Sequence, residues 1–352
     1  MRVREESARF MASIRGNAVW PCGLSLARLP IFLMTLMFLS PGYAVTFSDY
    51  PELEVFAAGM VENHGFTTQE IQRAFRCARL RPEIIEAMER PAEALPWYEY
   101  RKIFLTEENV QRGVRFWKKN APAFERAREQ HGVAPEIIAA ILGVETQYGK
   151  NKGNYPVLDA LATLMLDYPS RAAFFRGQTE EFLLLARELK VNPCHFKGSY
   201  AGAMGIPQFI PSSYRRYAVD FDGDGKRDIL GSPEDAIGSV ANYLKHSGWE
   251  TNAPVVDDVR VEGTLYFWVE RLGIKPALSI RHLVQYGIYP PARKEHDRRA
   301  ALIELEGETG PFFRLGYNNF YAITRYNHST LYAMAVYELG ELMRQRREAE
   351  TP

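Results

Sequence analysis

The run Pro135-Glu136-Ile137-Ile138-Ala139-Ala140-Ile141-Leu142-Gly143-Val144-Glu145-Thr146-Gln147-Tyr148-Gly149 carries a helix start, an apolar stripe and a helix stop. Pro135 suits a first helical turn, where its missing N–H leaves no hydrogen bond unmade, and Gly149 is placed to end the helix. Helical spacing puts Ile138, Ile141, Leu142 and Glu145 on one face, so a carboxylate rides on the side that packs inward. A glutamate is rarely buried without a partner or a purpose. Burial disfavours its charged form and raises its pKa, which makes it usable as a general acid near neutral pH. The other reading of Glu145 is a helix-end residue paired with a cation such as Lys150.

On the N-terminal side of this run, residues 47–128 read as helical. Thr67 and Glu70 form a capping box leading into Ile71, Phe75 and Leu80. Pro82-Glu83-Ile84-Ile85 opens a short helix, and Thr106-Glu107-Glu108 starts another that carries Val110, Val114, Trp117 and Phe124. On the C-terminal side a long helix spans residues 170–190. After it comes Gly198-Ser199-Tyr200-Ala201-Gly202-Ala203-Met204-Gly205-Ile206-Pro207-Gln208-Phe209, too broken for a regular element and suited to close backbone approach by a ligand. Pro233 opens a further helix through residue 245. Alternation in Val259-Arg260-Val261 and Leu302-Ile303-Glu304-Leu305-Glu306 predicts a small β-containing insertion over 254–308, and residues 329–344 return to helix. The fold class is mainly α (α+β).

The whole sequence has 352 residues, 46% hydrophobic and 24% charged, which supports a sizeable core and excludes disorder, collagen and coiled coil. Lys plus Arg number 43 and Asp plus Glu number 43, without the basic excess of a nucleic-acid binder. Nineteen Tyr, twenty Phe and five Trp supply flat faces for a sugar groove or for an ordinary core. Arg2, Arg4, Arg9, Arg15 and Arg28 precede the apolar run from Leu29 to Leu39, which is followed by the small residues Gly42 and Ala44. That order reads as a secretory signal peptide over 1–44, with an apolar run too short to span a membrane. Met11 is an alternative start. Cys22 lies before the apolar run, so no lipobox Cys follows the signal, and export to the periplasm without a stable membrane anchor is expected. Cleavage after Ala44 leaves a formal charge of −3 and two cysteines, Cys77 and Cys194, whose pairing the sequence leaves open.

Asp220-Phe221-Asp222-Gly223-Asp224-Gly225-Lys226-Arg227-Asp228 places oxygen ligands at the first, third and fifth positions of a calcium loop, with glycine at the sixth and the Lys226 carbonyl at the seventh. Gly231 stands at the twelfth position, where a glutamate is usual, so Asp235 is the expected source of the last acid. Asp235 also reads as the acid of a helix start capped by Ser232. The Ca²⁺ expected here is structural, and no organic cofactor is expected. Glycoside hydrolysis normally uses two carboxylates flanking the bond. No second one lies near Glu145 in sequence, while Asp159 and Asp167 read as helix surface or caps.

Together these residues resemble the lytic murein transglycosylase B family, exported bacterial enzymes with a lysozyme-like core that cleave peptidoglycan. The resemblance covers nearly the whole mature chain. It is strongest in residues 143–149, 198–213 and 219–249 and in Arg325-Tyr326-Asn327-His328-Ser329. It implies a signal peptide over 1–44, an N-terminal helical domain over 45–130 and a lysozyme-like catalytic core with the EF-hand-like loop over 131–253. A small β-containing domain over 254–310 and a C-terminal segment over 311–352, completing the core and the helical domain, would follow. It also implies that Glu145 is the single catalytic acid and base, acting on the β-1,4 bond between N-acetylmuramic acid and N-acetylglucosamine. The substrate's own N-acetyl group would take the place of the second carboxylate, leaving a 1,6-anhydro end. Ser199, Gln208, Tyr243, Tyr326, Asn327 and Tyr332 are the implied substrate-binding residues. Asp220, Asp222, Asp224, Lys226 through its carbonyl and Asp235 are the implied calcium ligands. Peptidoglycan glycan strands are the implied partner, with other cell-wall enzymes left open.

Two features depart from the family pattern. Val45 and Thr46 stand where many relatives carry a lipidated Cys, and Tyr168-Pro169-Ser170-Arg171 stands where relatives often carry two arginines in a row. A muramidase that lets water attack, and a calcium-stabilised peptidoglycan-binding scaffold without turnover, are the alternatives.

Overall fold

The computed structural model describes residues 43–89, 95–291 and 296–350. The signal peptide expected over 1–44 lies outside them but for its last two residues. The helices, in chain order, are α1 (Pro51–His64), α2 (Thr68–Phe75), α3 (Pro82–Met88), α4 (Trp97–Phe104), α5 (Glu107–Lys119), α6 (Ala121–His131), α7 (Pro135–Thr146) and α8 (Val157–Asp167). They continue as α9 (Ala172–Glu188), α10 (Pro211–Tyr217), α11 (Pro233–His246), α12 (Tyr266–Glu270), α13 (Ile280–Leu283), α14 (Asn318–Tyr326) and α15 (Thr330–Ala349). The start signals operate as the sequence suggests. Thr67 and Glu70 form the reciprocal capping box of α2. Thr106, Ser232 and Ser329 each accept a backbone N–H at the head of α5, α11 and α15.

α7 is more central than its stripe implies. Every residue from Ile137 to Gly143 is buried, so the helix is covered all round rather than on one face. It is enclosed by α4–α6, α11, α14 and α15, which share one apolar cluster with it. A second cluster joins α1–α3 to α8–α10. The helices before residue 130 thus divide their apolar faces between these two clusters.

Asp159 shows how the second cluster admits a charge. The sequence suggests a surface or capping role, yet this acid is buried on α8, where it accepts from Arg81 Nε at 2.7 Å and from the Arg79 amide at 3.0 Å. Cys77 and Cys194 are joined by a disulfide that fastens the segment after α2 to the loop after α9.

The small sheet has the antiparallel order β5-β10-β9-β7, with β5 at Val256–Asp258, β7 at Leu278–Ser279, β9 at Arg299–Gly307 and β10 at Gly310–Gly316. The labels β1–β4, β6 and β8 belong to two-residue strands at Tyr43–Ala44, Arg79–Leu80, Tyr155–Pro156, Lys197–Gly198, Arg260–Val261 and Ile288–Tyr289. Leu302 faces Leu315 across the β9–β10 ladder. Alternation along β9 serves two cores: Ala301, Ile303 and Leu305 belong to the α7 cluster, while Ala300 and Leu302 join Val269, Ile280, Leu283 and Ile288 in a third. Among the described residues no helix is long and apolar enough to cross a membrane.

Candidate active site

The C-terminal end of α7 sets the position of Glu145. Gly149 is not the stop. The helix ends at Thr146, because Gln147 and Tyr148 take left-handed φ values of 51° and 63°. Their amides close the end on Gly143 O at 2.9 Å and Leu142 O at 3.0 Å. Two left-handed residues that are not glycine are strained, so packing must hold them. The Tyr148 ring supplies it by stacking on Phe116, with centroids 5.1 Å apart. Its hydroxyl also lies against Gly143, where an added Cβ would come within 2.5 Å of it.

Glu145 is left in an apolar setting with one partner. Its Oε1 accepts from the Tyr332 hydroxyl at 2.7 Å. The residue is half-buried, and protein crowds its carboxyl. Burial pushes its pKa up to about 7, against a lowering from the Tyr332 bond. Among the described residues no cation pairs with it, so the Lys150 pairing does not form, and no second carboxylate acts on it. Burial and the nearby Glu145 charge also push the Tyr326 and Tyr332 phenols well above their usual range, which keeps them protonated and Tyr332 a donor.

An aromatic wall continues from this point. The Tyr326 and Tyr332 rings lie parallel within 9°, with centroids 6.5 Å apart, and Tyr243 meets Tyr326 edge-on at 4.8 Å. Tyr326 donates to Pro207 O at 2.5 Å, and Tyr243 donates to Arg325 O. The glycine-punctuated loop is therefore bonded to the wall that ends at the acid. Thr146, to which the sequence assigns no role, makes a second such link: its hydroxyl donates to Ile206 O at 2.8 Å and accepts from the Gly149 amide at 2.9 Å. A threonine directly after the acid and buried in an apolar helix was the available signal.

Ser199 and Gln208 stand on that loop, both half-buried. Ser199 Oγ accepts from the Ala203 amide at 3.1 Å. Gln208, with φ 52°, donates its side-chain amide to Gly205 O at 2.8 Å and Lys152 O at 3.2 Å. Asn327 is half-exposed after α14, where its Oδ1 accepts from the Ser329 amide.

The acidic loop follows α10 and runs into α11, the helix that also carries Tyr243. Asp220, Asp222 and Asp235 present oxygen atoms within 4.8 Å of one another. Asp224 lies beyond that spacing, with Lys226 Nζ 3.7 Å from its Oδ2. Buried Asp235 accepts from the amides of Phe221, Asp222 and Asp228, while Asp220 accepts from those of Gly223 and Gly225. Clustered hard oxygen donors of this kind fit Ca²⁺ rather than a softer metal.

A lone carboxyl with a raised pKa beside an aromatic wall, in a largely helical core, has the makings of an enzyme site. The family model described as "Transglycosylase SLT domain" matches residues 48–341. Membrane-bound lytic murein transglycosylase B of Escherichia coli (strain K12) is 43% identical over 305 residues, 84% of this chain and 83% of that protein. The soluble lytic transglycosylase SltB1 from Pseudomonas aeruginosa is 45% identical, with a TM-score of 0.80 over 85% of this chain and 100% of that one. The Escherichia coli lytic transglycosylase Slt35 in complex with calcium is 42% identical, with a TM-score of 0.78 over 87% of this chain and 96% of that one. The chain belongs to the lytic murein transglycosylase B family, peptidoglycan-cleaving enzymes with a lysozyme-like core, and is an enzyme of that class.

Proposed function

We propose that the protein cleaves the β-1,4 bond between N-acetylmuramic acid and N-acetylglucosamine in peptidoglycan glycan strands and leaves a 1,6-anhydro end. The carrying observation is the solitary state of Glu145, with burial raising its pKa to about 7 and no second acid acting on it. At neutral pH a substantial fraction of such a group is protonated and ready to give its proton to the departing glycosidic oxygen. The C1–O bond breaks, and the substrate's N-acetyl carbonyl supports the positive charge at C1. Glu145, now a carboxylate and still held by Tyr332, takes the proton of the C6 hydroxyl as that oxygen bonds to C1. No water is consumed, because the nucleophile belongs to the same sugar and is already positioned.

In this reading Ser199, Gln208, Tyr243, Tyr326, Asn327 and Tyr332 line the glycan site, with ring faces for the sugars and amide or hydroxyl groups for orientation. Asp220, Asp222, Asp224, the Lys226 carbonyl and Asp235 hold Ca²⁺, which orders the loop and takes no part in bond cleavage. Export directed by residues 1–44 puts the enzyme in the periplasm, a location supported by its disulfide.

Mass spectrometry of soluble products tests this reading, with purified protein digesting peptidoglycan beside Glu145→Gln. The expected result is fragments lacking one water, present with the parent and absent with the variant. Hydrated reducing ends would make it a muramidase, and no products from either protein would leave the binding scaffold.

A further inference from the structure

Lys152 lies between the acidic loop and the loop that carries Gln208, and it bonds to both sides. Its ammonium donates to Leu230 O at 2.7 Å, and its own carbonyl accepts from Gln208 Nε2 at 3.2 Å. The next residue, Gly153, has φ 85° and runs so close to the other half of the wall that an added Cβ would lie 2.1 Å from Gly198 O and 2.5 Å from the Ser199 nitrogen. A single dipeptide thus touches the backbone at Ser199 and the side chain of Gln208.

The Leu230 peptide is fixed from the opposite direction. Its amide donates to Asp228 Oδ1 at 3.0 Å, and the Asp228 amide donates to Asp235 Oδ2 at 2.6 Å. Asp235 is one of the three acids whose oxygens cluster in the loop. The neighbouring Ile229 carbonyl accepts the Ile206 amide at 2.9 Å, so the segment leaving the acidic loop backs the glycine-punctuated loop directly. Beside the helix that runs from Asp235 to Tyr243, loop order can reach the glycine-punctuated loop through a backbone pair at Ile229–Ile206 and through the Lys152 ammonium, a side-chain link open to substitution.

We propose that Lys152 is a positioning residue that ties the acidic loop to Gln208 and Ser199, so that a cation in the loop tightens glycan binding. The inference rests on the reading that these two residues touch the glycan and that the loop takes Ca²⁺. Coupling between two sites is reciprocal: if calcium tightens glycan, glycan tightens calcium by the same factor.

The test uses the full mature protein with Glu145→Gln to prevent turnover, and titrates a soluble uncross-linked glycan oligomer with calcium or with a chelator present. Calcium is expected to tighten the glycan Kd about fivefold in this parent, the low end of usual coupling. Adding Lys152→Met should cut that ratio to about half, while the calcium affinity measured without glycan stays as in the parent. Lys152→Arg, which keeps a charged donor, should retain most of the ratio. With Glu145 restored, Lys152→Met should raise KM more than it lowers kcat. A ratio unchanged by Lys152→Met, a ratio lost equally in Lys152→Arg, or a parent that binds calcium without any effect on glycan would each overturn the proposal. Gln208→Ala separates the two levels. If it leaves glycan affinity untouched, the reading of the glycan wall fails. If it weakens glycan while Lys152→Met keeps the ratio, only the coupling fails.

Discussion

At the C-terminal end of α7 a carboxyl meets one hydroxyl; on α8 another meets a guanidinium and a backbone amide. Both belong to acids on helices that line the interior, and their partners decide what they do. Glu145 has a neutral donor and an apolar setting, so its proton is held loosely enough to exchange near neutrality. Asp159 has the positive charge of Arg81 at 2.7 Å and the Arg79 amide, a set that ties the N-terminal segment to α8. Burial alone does not mark a functional acid; the charge and number of its partners do.

The sharpest way to break this contrast is Glu145→Gln, which keeps the shape and removes the transferable proton. Turnover is expected to fall about 10³-fold, the usual scale for a lost acid–base group, with glycan binding retained. The same variant has a stability signature. The folded carboxyl titrates near 7 and the unfolded one near its ordinary value, so wild-type stability is full below that ordinary value and is lost as pH rises through 7. Thermal or urea unfolding should therefore show Glu145→Gln gaining on the wild type across that window, by about 3 kcal/mol at pH 8, and not at pH 4. Equal stability at both pH values would mean that the acid is not desolvated.

Asp159→Asn probes the other side. It removes the nearer counter-charge of Arg81, leaving Glu83 at 3.5 Å, and should lower the unfolding free energy by about 3 kcal/mol in a denaturant titration, with turnover per folded molecule unchanged. A loss of turnover in the intact fold would erase the distinction between the two acids. The smallest effect is that of Tyr332→Phe. The hydroxyl bond favours the carboxylate, so its removal should move the alkaline limb of the pH–rate profile upward by about half a unit to one unit. A limb that stays in place would show that another group sets it.

Local chemistry in the sequence accounts for much of this architecture. The capping box at Thr67 and Glu70, the Pro135 start and the inward-facing Glu145 need only neighbours within one or two helical turns, and each forms as read. Long-range pairing is what the sequence hides. The Glu145–Tyr332 bond joins residues 187 apart, and Tyr332 at helical spacing reads equally as core. Asp159 reads as surface because its guanidinium is 78 residues away. The helix end differs for the same reason: Gly149 is the obvious breaker, yet the stop comes earlier because Tyr148 docks on Phe116 of α5. Alternation along β9 was legible, but not that both of its faces are covered.

The disulfide has one more consequence. Cys77 and Cys194 are 117 residues apart, and the whole of α7 lies between them, so the acid sits inside a covalently closed ring of chain. A protease that cuts one exposed loop within the ring leaves the polypeptide in a single covalent piece.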